Sequence, residues 1–101
     1  MAEQVTVVAR IQAQPGREDH VRRELLRLVA ETRREQGCLN YDLLQLPGNP
    51  TQFLFYENWT SQAHLDAHAR SPHIQAFRAL APELLAAPTE ITLWRMVSRP
   101  Q

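Results

Sequence analysis

The chain contains no lysine. Its eleven basic residues are all arginine, and eleven acidic residues balance them to a formal net charge of zero. A neutral chain has no long-range field to draw it to nucleic acid or to an anionic bilayer, so neither is expected as a partner. A single cysteine, Cys38, rules out an intrachain disulfide and fits a reducing compartment. The only glycines are Gly16, Gly37 and Gly48. None sits in a glycine-rich phosphate loop, which argues against a nucleotide or dinucleotide site. No apolar run approaches the ~20 residues needed to span a bilayer, and MAEQVTVVAR carries no basic-then-apolar leader. The expectation is one cytoplasmic domain over residues 1–101, without repeats, linkers or low-complexity tracts.

What is present is strongly patterned. Gln4–Gln12 alternates, with Val5, Val7, Ala9 and Ile11 on one face and Thr6, Val8 and Arg10 on the other, as in a strand. Gln14-Pro15-Gly16 turns the chain into a long helix over Arg17–Gln36. Its apolar stripe is Val21, Leu25, Leu28, Val29 and Thr32, with Glu18 and Arg22 paired one turn apart on the wet side. Gly37 stops that helix. Cys38–Leu46 reads as a second strand with Leu39, Tyr41, Leu43 and Gln45 on a common face. The turn Pro47-Gly48-Asn49-Pro50 then leads into a hairpin partner. Glu90–Val97 reads as the last strand, followed by a short tail over Ser98–Gln101.

The chemistry concentrates between Phe53 and Phe77. Phe53, Phe55, Glu57 and Trp59 share one face of the third strand, so Glu57 stands among aromatics and needs a partner if it is buried. Thr60 and Ser61 offer a cap for a short helix on which Leu65 and His68 face the same way. Ser71-Pro72 caps a further helix, with His73 in its first turn, Ile74, Phe77, Leu80, Ala81 and Leu84 inward, and Pro82 placed to kink it. His68 reads as a candidate base with Glu57 behind it, in the way a carboxylate orients an imidazole. The plainer alternative is a core histidine satisfied by Glu57 or by backbone. His73 could line a pocket or simply serve the helix start, and Tyr41 and Trp59 could be core. His64 and His68 are four apart, but a third ligand at matching spacing is missing unless His73 swings in, and with no HExxH and no cysteine cluster no metal is expected. Cys38 has no base near it in sequence and looks inert.

Strand, helix, strand, strand, split helical region and strand make an α+β chain of βαββαβ order. The simplest packing is ferredoxin-like: a four-stranded antiparallel sheet with helices on one face. Val8, Leu44, Leu54, Tyr56, Trp94 and Met96 would then point away from the helices. A monomer rarely leaves so much apolar surface in water, so a homodimer stacked sheet to sheet is expected. Arg10 and Arg95 are placed to pair with Asp42 across that sheet or dimer.

The segments VVARIQAQPGRE, GCLNYDL and FLFYENWTSQAHLDAHARSPHIQAF resemble the antibiotic biosynthesis monooxygenase family of dimeric α+β barrels, from Val5 to about Leu93. The resemblance implies a ligand pocket between sheet and helices in each protomer. It also brings in a range of activities that includes cofactor-free oxidation of quinols and phenols, haem degradation and isomerisation of a sugar-like signal. At the positions where the haem-degrading branch carries asparagine, tryptophan and histidine, this chain has Ala9, His68 and Arg78, so that activity is not implied. The expected function is a cofactor-independent monooxygenase acting on a small aromatic quinol or phenol with molecular oxygen. His68 and Glu57 would be catalytic, and Tyr41, Trp59, His73 and Phe77 would contact the substrate. The alternatives are a non-catalytic dimer binding a small ligand or taking part in a stress response, and an acid–base isomerase.

Overall fold

The computed structural model describes residues 3–98, so Arg99, Pro100 and Gln101 of the expected tail lie outside the described residues. The elements are β1 (Val5–Gln12), α1 (Glu18–Thr32), β2 (Cys38–Gln45), β3 (Gln52–Trp59), α2 (Gln62–Ala69), α3 (Pro72–Leu84) and β4 (Glu90–Trp94). The four strands form one antiparallel sheet in the order β2-β3-β1-β4, the ferredoxin-like topology read from the sequence.

Register fixes which side chains meet the helices. Val7 lies opposite Glu57, Ala9 opposite Phe55 and Ile11 opposite Phe53; on the other side of β3, Tyr41 faces Glu57 and Leu43 faces Phe55. Because side chains alternate, this set shares the inner face. It packs with Val21, Leu25 and Leu28 of α1 and Leu84 of α3 into the buried core. The outer face carries Val8, Tyr56, Leu54, Leu44 and Trp94, of which Leu44 and Trp94 are exposed.

Several boundaries differ from the sequence reading. Helix α1 ends at Thr32 instead of Gln36, and residues 33–36 form a turn in which Arg34 and Glu35 donate backbone N–H bonds to Glu31 and Thr32. Gly37 closes the turn at φ +84°, and a Cβ there would lie 2.2 Å from Cγ of His64, so both backbone and space demand glycine. In β2 the register slips between Cys38 and Asn40. This bulge turns Leu39 out to 55% exposure instead of placing it on the inner face with Tyr41. Strand β4 stops at Trp94, so Met96 and Val97 lie beyond the sheet.

Pro82 does not interrupt α3, which runs on to Leu84. The proline sits in the last turn, so the one N–H bond it forgoes lies near the helix end and only two helical residues follow it. After the helix, Leu85 bridges to Ala13 and the Ala86 N–H donates to Gln12 O. The α3–β4 connection is thereby tied to the end of β1. Within the chain Asp42 pairs with Arg33 at 3.0 Å and not with Arg10 or Arg95 across the sheet, and the ion pair on α1 is Glu24–Arg27 instead of Glu18–Arg22.

Candidate active site

A cavity of about 690 Å³ lies between the inner face of the sheet and α2 and α3. Ala9 and Ile11 of β1, Tyr41 of β2, and Phe55 and Glu57 of β3 form one side. His68 of α2 and Ile74, Phe77, Arg78 and Ala81 of α3 form the other, and the chain from Leu85 to Thr89 closes one end. The polar side chains along this wall are Tyr41, Glu57, His68, Arg78 and Thr89. Such a slot suits a small, largely apolar ligand gripped at a few points.

His68 reaches the wall because Ser61 sets the phase of α2. The Ser61 hydroxyl accepts the His64 N–H, extended backbone at Ser61 gives way to helix, and His68 comes round on the buried side. Its ring packs at 4.7 Å on Trp59 and edge-on at 5.4 Å against Tyr41. Nδ1 of His68 lies 2.6 Å from Oε2 of Glu35, and the same oxygen lies 2.7 Å from Nε2 of His73. An ionised carboxylate can only accept, so this contact assigns the proton of a neutral His68 to Nδ1 and leaves Nε2 as the acceptor. Burial depresses the pKa of His68, while the hydrogen bond and charge of Glu35 partly offset the fall.

The expected partnership of His68 with Glu57 is thus corrected: the carboxylate behind His68 is Glu35. Glu57 is buried and accepts the indole N–H of Trp59 at 3.0 Å. Burial is the main cause that raises its pKa from 4.5 to about 7; the indole bond opposes the rise, and the charge of Glu35 adds to it. Near neutral pH the cavity therefore holds a carboxyl group that readily gains or loses a proton. Tyr41 is pushed well above its ordinary pKa, by burial first and by Glu57 second, and stays a phenol. Burial raises Cys38 to about 11, which keeps its thiol protonated and weakly reactive.

Of the six residues singled out from the sequence, His68, Glu57, Tyr41 and Phe77 line the cavity. Trp59 and His73 do not, contrary to expectation. Trp59 is fully buried, one layer behind, where it supports the His68 ring and the Glu57 carboxyl. His73 lines a smaller cleft with Glu24, Arg27 and Glu31, and meets the site through Glu35 and through its ring, 6.0 Å from that of His68.

Two residues were missed. Glu35 gave no signal, since it stands in a charged run 33 positions from His68 and is brought in by the turn after α1. Arg78 had a signal, a lone arginine beside Phe77 and one turn after Ile74 on an apolar helix face. It lines the cavity and donates from Nη1 to the Ala69 carbonyl at 3.1 Å, which fixes a cation beside the slot.

Comparison with known proteins agrees with this architecture. The chain spans 63% of the length of an uncharacterised Synechocystis protein, sll1783, with 28% identity over 92 residues. It is 31% identical over 85 residues to the Escherichia coli protein named "Probable quinol monooxygenase YgiN", a match covering 72% of this chain and 80% of that one. The crystal structure of PA3566 from Pseudomonas aeruginosa superposes with a TM-score of 0.91 at 34% identity, covering 97% of this chain and 98% of the other. The family model for antibiotic biosynthesis monooxygenase matches residues 4–80. By fold, by relatives and by that match, the chain belongs to the antibiotic biosynthesis monooxygenase family.

Proposed function

We propose that the protein is a cofactor-independent monooxygenase for a small aromatic quinol or phenol. The observation that carries this reading is the His68–Glu35 pair, which fixes the proton on Nδ1 and leaves Nε2 as a base at the wall of an apolar cavity. His68 takes the phenolic proton. Arg78 and the Tyr41 hydroxyl stabilise the resulting oxyanion by charge and hydrogen bonding. An electron-rich phenolate transfers one electron to molecular oxygen, and the two radicals combine at a ring carbon to give a hydroperoxide. Loss of water from that intermediate leaves a carbonyl. A quinol and one oxygen molecule thus yield a hydroxyquinone and one water, with one oxygen atom in each. Glu57, titrating near neutral pH, is suited to deliver the proton that departs with water.

The family membership and the name of the Escherichia coli relative support the monooxygenase class. The test is oxygen uptake by the purified protein with a dihydroxynaphthalene. Uptake well above the buffer rate is expected, and uptake equal to buffer across several quinols would contradict the proposal.

The same reading includes a homodimer joined through the outer face of the sheet, where Leu44 and Trp94 are exposed at 48% and 59% next to Val8, Leu54 and Tyr56. Trp94→Glu should convert a species of twice the chain mass into one of single mass in analytical ultracentrifugation. Wild-type protein that sediments at single mass at micromolar concentration would remove the dimer.

A further inference from the structure

The Glu35–His68–His73 cluster has a geometry that a buried base and its orienting carboxylate do not require. A single carboxylate would suffice to hold His68, yet a second imidazole is brought to the same oxygen. Oε2 of Glu35 occupies the point on which Nδ1 of His68 and Nε2 of His73 converge, at 2.6 and 2.7 Å. The three donor atoms lie within 4.8 Å of one another and come from three separate places: the turn after α1, the buried side of α2 and the first turn of α3.

We propose that Glu35, His68 and His73 bind one divalent transition-metal ion of the zinc or cobalt class. Two imidazole nitrogens and one carboxylate oxygen are the donors that borderline ions prefer, whereas calcium and magnesium favour oxygen alone. A zinc-class ion sits ~2.0–2.1 Å from an imidazole nitrogen. It would therefore take nearly the present position of Oε2, with the carboxylate drawn back to become the third ligand. Glu35 can make that adjustment because it stands in a turn, outside the regular part of α1. The side chains of Glu35 and His73 are 17% and 19% exposed, which leaves a way in for the ion and for water at the remaining coordination position. The cleft on that side is lined by Glu24 and Glu31 against one cation, Arg27, and Arg27 is already paired with Glu24. Its balance favours a cation.

The site has a consequence for the cavity, which rests on the role of His68 proposed above. A metal on Nδ1 displaces the proton there, and the neutral ring then carries its proton on Nε2. His68 turns from an acceptor into a donor, and the cavity loses its base while the ion is bound.

The experiment is a cobalt(II) titration of untagged, chelator-treated protein, followed by visible d–d absorption, with zinc(II) as competitor. One equivalent per chain is expected, displaced by zinc. His73→Ala and Glu35→Gln should each weaken binding by at least the ~10–100-fold that loss of an outer partner alone can cost. His64→Ala, whose ring contacts Thr60 and Ser61 instead, should bind as wild type. Circular dichroism verifies that each variant is folded, and Glu35→Gln decides the matter if His73→Ala is not. Absence of d–d bands at millimolar cobalt, or bands retained in both ligand variants, would overturn the site. Zinc-loaded protein should also lose quinol-dependent oxygen uptake. Uptake that survives a bound ion overturns the coupling to the cavity, while the cobalt bands judge the site independently.

Discussion

His68→Asn is expected to lower quinol-dependent oxygen uptake by ~10²–10⁴-fold, the contribution usual for a positioned base. Asparagine is smaller and polar, so the buried position keeps a hydrogen-bonding group near Glu35 but has no lone pair with imidazole basicity. The loss should be mainly in kcat, because the cavity's apolar walls, Phe55, Ile74 and Phe77, are untouched. It should also shrink as the pH approaches the substrate's own pKa, where solution already supplies the phenolate. A purely structural role for His68 would give a deficit independent of pH. Glu35→Gln should produce a smaller loss, since the base remains and only its tautomer is released. Full activity in His68→Asn would contradict the role assigned to the ring.

The second large effect is on stability. Glu57→Gln should stabilise the fold by roughly 3 kcal/mol at pH 8.5 and change little at pH 4, because a rise from 4.5 to about 7 corresponds to that free energy. The sign follows from the direction of the shift. A carboxyl whose pKa is higher in the folded state favours folding in its protonated form. That contribution is complete below the unfolded value and fades as pH rises through the folded one. Above pH 7 the native state of the wild type must hold a buried carboxylate, whereas glutamine is neutral throughout and can still accept from the Trp59 indole. Urea denaturation of both proteins between pH 4 and 8.5 measures the difference. A gap between the two that does not vary with pH would show that Glu57 is not the group described.

Much of the scaffold could be read from side-chain order alone. Alternation placed Val7, Ala9, Ile11, Phe55 and Glu57 on the inner face, and the caps Ser61 and Ser71-Pro72 set the phase of α2 and α3. Those signals are local: each depends on a few neighbouring residues and on one backbone geometry. The bulge at Leu39 was not legible, because leucine suits either face of a strand and the slip depends on how β2 meets β3. Nor was the end of α1, where Arg33, Arg34 and Glu35 are good helix formers and the chain departs into a turn for tertiary reasons.

The site shows the same division. His68 was visible from its spacing to Leu65 and from the cap before it. Its partner was misassigned because Glu57 is close in sequence and on the right face, while Glu35 arrives across 33 positions only when α1 and α2 pack. Trp59 and His73 were recognised as belonging to the region, but sequence could not separate a residue on the cavity wall from one a layer behind it.

The state of the His68 ring is the point on which both the proposed chemistry and the coupling of the metal site to the cavity turn. Long-range ¹H–¹⁵N correlation of the histidine side chains in metal-free protein at neutral pH reads it directly. A proton on Nδ1 with an unprotonated Nε2 is the expected result. A proton on Nε2, or on both nitrogens, would contradict it.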